Sequence, residues 1–414
     1  MRSSEQRFEI WLADQRVGTL QQAGDRTRFA LDRDYRENPS RAVLGLVFEE
    51  RPTAVHMASV RLPPWFSNLL PEGRLRDWIA DQRSVNRQRE MELLAEVGHD
   101  LPGAIRVLPD GEAPTNGDWE HEDTYRHDDD PYYAPGIRFS LAGVAMKFSM
   151  IRSGDRLTLP AHGEGGDWIV KLPDRHFRDV PRNEFAMMSL ARAIGIEVPE
   201  TMLVPREQVD KRLPETVWPA GEDWAYAIRR FDRATDRTLV HIEDLAQVRN
   251  IYPDKKYLGN FETVANLIYR GRDRASLQEF TRRLTFSILI SNGDAHLKNW
   301  SLIYRDPRVP TLSPAYDLVA TGCYAISDRP EDLGLKFGGT RHFHRVTLAS
   351  FKQLQHRLKV TGVDLAGCAA QVVEKTLQEW PRQADLLTEN RHLQDAIDRS
   401  IQARSKTLMG TIAG

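Results

Sequence analysis

Apolar and polar positions alternate with period two over residues 8 to 31. Phe8-Glu9-Ile10-Trp11-Leu12-Ala13 runs into a turn at Asp14-Gln15, Val17-Gly18-Thr19-Leu20 follows, and Arg26 to Leu31 comes after Gly24-Asp25. Alternation punctuated by turn formers predicts a meander of short antiparallel strands. The pattern breaks at Trp65 to Gly73 (WFSNLLPEG). Helical spacing then covers Arg74 to Asp81 and Glu90 to Val97, the second closing at Gly98, where a C′ glycine is expected. Pro109 to Gly136 reads as a linker, rich in Gly, Pro and Asn around the acidic run Asp128-Asp129-Asp130.

Two strand-like pieces flank Ser140 and Gly143, and Trp168 to Leu172 reads as a further strand. A helix follows from Asn183 to Ile196, closed by Gly195, and Ala225 to Arg233 returns to strand character. Beyond residue 240 the apolar spacing becomes three-to-four. It marks His241 to Val248, Asn260 to Tyr269, Ser276 to Ile290, Thr347 to Lys359, Leu365 to Trp380 and Leu386 to Ala403 as helices. The chain thus divides into a β-rich first unit (1–108), an acidic linker (109–136), a mixed unit (137–233) and a helical unit (234–414).

Composition narrows the class. At 414 residues, with 41% hydrophobic and 28% charged, the chain has ample core for a soluble globular protein. A net charge of −2 gives no global positive field for nucleic acid or an anionic membrane. No apolar stretch approaches a membrane span, and no signal-peptide core is found near Glu5 and Glu9. Cys323 and Cys368 have no metal-ligand spacing and predict reduced thiols. The expectation is a cytoplasmic, soluble protein with no membrane partner.

The chemistry concentrates between Leu284 and Asp317. An apolar run ends in Ser291-Asn292-Gly293, polar residues Asp294, His296, Lys298 and Asn299 crowd the next turn, and the β-prone run Trp300 to Tyr304 follows. Asp294 and Asn299 have the D-x-x-x-x-N spacing of a kinase catalytic loop, where Asp accepts the acceptor-hydroxyl proton and Asn holds magnesium. Asp317 supplies a second carboxylate after Pro314, and an amide with a carboxylate suits a hard cation. The same stretch also reads as a polar helix–strand turn capped by its own Asp and Asn. Lys171, alone in its strand, has the form of a phosphate-neutralising lysine, or of an edge gatekeeper. Glu184 in the next helix is a candidate ion-pair partner for it, or a favourable charge near the helix start.

These residues resemble the HipA family of bacterial toxin serine/threonine kinases. Gly293-Asp294-x-His296-x-Lys298-Asn299 matches its GDxHxKN loop, and Tyr316-Asp317 its later YD. WFSNLLPEG and the VGHDLPGAIRV stretch from Val97 resemble the family's N-terminal subdomain, Arg230 to Arg233 its RFDR hinge, and Lys256-Tyr257 its KY element. Phe139 to Met150 resembles its phosphate loop, with Ala145-Met146 where the family usually carries Gln-Glu.

The resemblance implies a bilobal, protein-kinase-like α+β fold: a small β-rich N-terminal subdomain, a β-sheet nucleotide lobe and a helical C-terminal lobe. It implies ATP and magnesium as cofactors. Asp294, His296 and Lys298 would serve chemistry, and Asn299 and Asp317 would serve the metal. Ser140, Ala142, Gly143, Val144, Lys147, Lys171, Arg230 and Phe231 would serve the nucleotide. Arg230 and Asp232 also read as an internal ion pair. Ser140 matches the family's autophosphorylated serine. The implied partners are a HipB-type helix-turn-helix antitoxin, operator DNA through that antitoxin, and a protein substrate such as an aminoacyl-tRNA synthetase. Two other classes use the same residues: a small-molecule kinase of the aminoglycoside phosphotransferase type, and a weakly catalytic co-repressor in an antitoxin–DNA complex.

Overall fold

Three antiparallel sheets organise the chain. The first contains β1 (Gln6–Leu12), β2 (Gln15–Ala23), β3 (Arg26–Leu31), β4 (His56–Ser59) and β5 (Ile105–Pro109), in the order β4-β3-β2-β1-β5. Gln15 already pairs with Leu12, so the first turn is Ala13-Asp14, one position earlier than the sequence pattern placed it. The second contains β6 (Lys147–Ser153), β7 (Arg156–Thr158), β8 (Trp168–Lys171), β9 (Thr201–Pro205) and β10 (Trp224–Arg229), in the order β7-β6-β8-β10-β9. The third is β11 (His241–Asp244), β12 (Ser301–Tyr304) and β13 (Thr311–Leu312). The computed structural model describes residues 5–112, 146–160, 165–213, 217–325 and 332–410. Ser140, Ala142, Gly143, Val144 and most of the acidic linker lie outside the described residues.

The apolar cores do not follow the sheets one to one. A single core joins the first sheet and its helices to the second, through residues such as Phe29, Trp65, Leu94, Phe148 and Val170. Trp78 of helix Gly73–Arg83 meets the Phe148 ring edge-on at 5.9 Å. A second core holds helix Val180–Ala193 against the helical half: Phe261–Tyr269, Arg274–Leu289, Leu348–Arg357, Leu365–Gln383 and Arg391–Met409. The first unit is therefore built onto the second sheet rather than appended to it.

Three sequence-level expectations change. His241 to Val248, read as helix, is strand β11 followed by one helical turn, Leu245–Val248. Pairing with β12 wins over a weak helical period, and an Asp244–Gln247 capping box starts the helix only after the strand ends. The last helix begins at Arg391 rather than Leu386, because the Asn390 side chain caps it by accepting from Leu393 N. Gly98 ends its helix with φ near −60°, so no left-handed cap forms. A Cβ there would lie 2.4 Å from the Val107 carbonyl oxygen, so the glycine is required by close approach of the helix end to β5.

Candidate active site

The second sheet and the helical half face each other across a cleft, and β8 brings Lys171 to its edge. Register places Lys147 of β6 directly beside Lys171, with Tyr226 of β10 on the other side. The Lys171 ammonium lies 2.6 Å from Glu184 Oε1 and also contacts Asp317 Oδ1. Burial works to strip its proton, but the charges of Asp317 and Glu184 outweigh that and hold it well above the ordinary lysine range. Asp317 is likewise opposed by burial and held ionised, below the usual carboxylate range, by Lys171 and Lys147. Burial dominates at Glu184, with the Asp317 charge adding to it, and its carboxyl is pushed up to about 7 despite the ion pair with Lys171. Lys147 is brought down to about 8, by burial first, with Asp317 opposing and Lys171 adding to the drop.

The loop that carries Asp294 is braced by its own backbone. Helix Arg274–Leu289 ends, and Ser291 turns the chain at a positive φ of 52°. Asn292 Oδ1 accepts from Asp294 N at 3.0 Å, and Gly293 N donates to Thr321 Oγ1 at 2.7 Å. Asp294 O accepts from His296 N at 2.7 Å and from Asn299 Nδ2 at 2.8 Å. That last bond orients the Asn299 amide and leaves its oxygen for a ligand. Asp317, at φ 60°, is a non-glycine residue in the left-handed region, a backbone state that recurs at functional sites. Asp294 is 48% exposed at the side chain and so stands at the cleft mouth. His296 is buried behind it, Nε2 3.8 Å from Asp294 Oδ1; burial lowers its pKa, which favours the neutral ring.

Two expected site residues line the cleft and are engaged by partners within the chain. Lys298 Nζ donates to Asn68 O at 2.7 Å and lies 3.2 Å from Glu72 Oε1 and 3.4 Å from Asp244 Oδ2. The Arg230 guanidinium, almost wholly buried, is committed to Asp232 (2.9 and 2.8 Å), Asp100 (2.7 Å), Ser149 Oγ (3.0 Å) and Leu101 O (3.1 Å). Its internal ion pair is what the fold uses. Phe231 lines the cleft, its ring 5.5 Å from that of Tyr316.

The cleft also holds residues that the sequence reading did not assign to it. WFSNLLPEG, which the sequence reading placed in the N-terminal subdomain, contributes Asn68 and Glu72 to the wall. Glu72 Oε2 lies 2.9 Å from Lys256 Nζ, and the Tyr257 hydroxyl donates to Asp294 Oδ1. Both stretches stood out in the sequence, but nothing local in either says that they meet the loop that bears Asp294.

A lysine–glutamate pair bridging strand and helix, across from a braced Asp/Asn loop and a second aspartate, defines the bilobal kinase-like fold. The sequence profile described as HipA-like C-terminal domain matches residues 139–380, and that of the HipA N-terminal domain matches 8–108. Y4dM of Sinorhizobium fredii, which carries a kinase name, is 40% identical over 406 residues, covering 94% of this chain and 95% of that protein. The serine/threonine-protein kinase toxin HipA of Shewanella oneidensis is 27% identical over 287 residues, 62% of each chain. A solved structure of that organism's HipA with HipB and operator DNA aligns with a TM-score of 0.74 at 20% identity, over 97% of both chains. The chain belongs to the HipA family. Among the described residues, no helix is long and apolar enough to cross a membrane.

Proposed function

We propose that this chain is an ATP- and magnesium-dependent serine/threonine protein kinase and the toxin of a pair with a HipB-type antitoxin. The observation that carries the reading is Lys171, held between Glu184 and Asp317 at the edge of the cleft that Asp294 and Asn299 also line. That arrangement supplies a fixed cation for phosphate oxygens and a carboxylate for the acceptor proton, the two things phosphoryl transfer asks of a protein. Asn299 and Asp317 would hold magnesium: the amide oxygen is left open by the Asp294 contact, and the carboxylate is kept ionised. No cluster of three or more His, Cys, Asp or Glu suited to a metal exists among the described residues. Two protein oxygens with water and phosphate completing the shell is ordinary for magnesium, which when bound neutralises charge between the phosphates. Asp294, half-exposed at the mouth, takes the acceptor proton, and His296 and Lys298 keep its loop in shape. Lys147, Lys171 and the segment around Ser140 to Val144 serve the nucleotide.

The names of the relatives favour a protein serine or threonine as acceptor, a translation component such as an aminoacyl-tRNA synthetase being the reading carried over from the family resemblance. By the same resemblance, operator DNA is reached through the antitoxin and Ser140 is autophosphorylated. The test is transfer of labelled phosphate from ATP with magnesium, with chelator and with Asp317→Asn. Asp317→Asn should lose transfer by at least about 100-fold and still fold, with a lower unfolding midpoint because Lys171 loses one of its two carboxylate partners. Wild-type turnover in Asp317→Asn would take this residue out of the site.

A further inference from the structure

The side chain proposed to take the acceptor proton already has a hydroxyl against it. Tyr257 Oη donates to Asp294 Oδ1, the hydrogen bond that an incoming serine or threonine must make before it is phosphorylated. A carboxylate oxygen at the mouth of a narrow cleft cannot hold two hydroxyls in one reactive direction, so the two compete. The Tyr257 ring is set for this position by its neighbours. It meets the His296 ring edge-on at 5.0 Å, its backbone carbonyl accepts from Arg341 Nη2 at 2.9 Å, and the preceding carbonyl, of Lys256, accepts from Leu297 N on the catalytic loop at 3.2 Å. Tyr257 is 39% exposed, so the ring has an outward path to solvent.

Resting on the kinase reading, we propose that Tyr257 is a placeholder for the acceptor hydroxyl. It occupies the proton-accepting oxygen of Asp294 until a protein serine or threonine displaces it, and so keeps water from serving as acceptor. In the reaction it guards, the acceptor oxygen bonds to the γ-phosphorus of ATP and the bond from that phosphorus to the β-phosphate oxygen breaks. ADP leaves, and the acceptor proton passes to Asp294. When the acceptor is water, the products are ADP and inorganic phosphate. An acceptor that must first expel the phenol binds with an affinity reduced by the fraction of time the seat is open.

Tyr257→Phe removes the hydroxyl and keeps the ring against His296. The measurements are ATP hydrolysis with magnesium and no protein acceptor, and phosphorylation of dephosphorylated casein as a generic serine acceptor. Asp294→Asn sets the background, and nucleotide affinity verifies folding. A charge-assisted hydrogen bond sets the expected scale: hydrolysis should rise about tenfold, and the KM for casein should fall by a similar factor if casein is accepted. Unchanged or slower hydrolysis in Tyr257→Phe, beside an active wild type, would overturn the placeholder and mark the phenol as a positioning group, leaving the kinase reading intact. Hydrolysis gained by Tyr257→Phe over a silent wild type supports both. No transfer to water or casein by either protein would discard the two together.

Discussion

Glu72→Gln isolates what the first unit contributes to the cleft. Glu72 lies between Lys256 at 2.9 Å and Lys298 at 3.2 Å, with its side chain only 14% exposed. Burial favours its neutral form, but Lys298 and Lys256 outweigh that and bring the carboxyl down from 4.5 to about 2. A depression of that size stabilises the fold by about 3 kcal/mol at neutral pH. Because the folded value is the depressed one, the stabilisation is present above about pH 4.5 and drains away as pH falls toward 2. The glutamine keeps the volume and one acceptor but leaves two ammonium groups short of a counter-charge. Lys298 still has Asn68 and Asp244, which limits the loss to about 2–3 kcal/mol. Urea unfolding at neutral pH should show a lower midpoint with an unchanged slope, and the gap to wild type should shrink by more than half by about pH 3. Phosphoryl transfer should fall with it, since Lys298 sits between Asp294 and Asn299, whereas ATP affinity should hold, a negative charge having left the cleft. A variant within about 0.5 kcal/mol of wild type at neutral pH, or a gap indifferent to acid, would refute the argument.

Glu243 gives the opposite sign. It is fully buried between the first unit and β12, takes hydrogen bonds from Leu46 N, Trp65 Nε1 and Tyr304 Oη, and is pushed by burial up to about 7. Stability should therefore fall as pH rises from about 4.5 through 7, and Glu243→Gln should flatten that slope, measured as unfolding midpoints at about pH 5 and 8; parallel curves would count against it. Arg230→Met strands the Asp100 and Asp232 carboxylates in the core and should cost about 3–5 kcal/mol. A stable Arg230→Met with weakened ATP affinity would instead put the guanidinium on the nucleotide.

What could be read from the sequence was whatever repeats locally. Period-two alternation gave β1 to β3, and the long apolar stripes gave the helices from Phe261 onward. The D-x-x-x-x-N spacing found the loop that the fold does bring into one cleft with Lys171, Glu184 and Asp317. β11 was missed because four residues are too few to show a period, and its strand character comes from pairing with β12. Lys298 was read by its place in the loop motif, but the residue that holds it, Asn68, lies 230 positions away. Arg230 shows the same limit: Asp232 is two residues on and was legible as a partner, whereas Asp100 is 130 residues back and was not.

Those long-range partners change how the cleft meets a nucleotide. Six cationic side chains line it (Lys147, Lys171, Arg229, Arg230, Lys256 and Lys298) and six acidic ones (Glu72, Glu184, Asp232, Asp244, Asp294 and Asp317). Formally the wall is neutral, and Lys171, Arg230, Lys256 and Lys298 are already paired with carboxylates. A triphosphate that engages Lys171 must therefore take it from Asp317, and Asp317 must find another cation. In the proposed reaction that cation is the one that arrives with ATP, so nucleotide and metal enter as an exchange of partners rather than an addition of charge. The pairs on the far side, Glu72 with Lys256 and Lys298, need not exchange at all. On the proposed reaction they fix the loop that bears Asp294 while the Lys171 side rearranges, and because Glu72 is neutralised by two lysines it can stand in the cleft without repelling a bound phosphate.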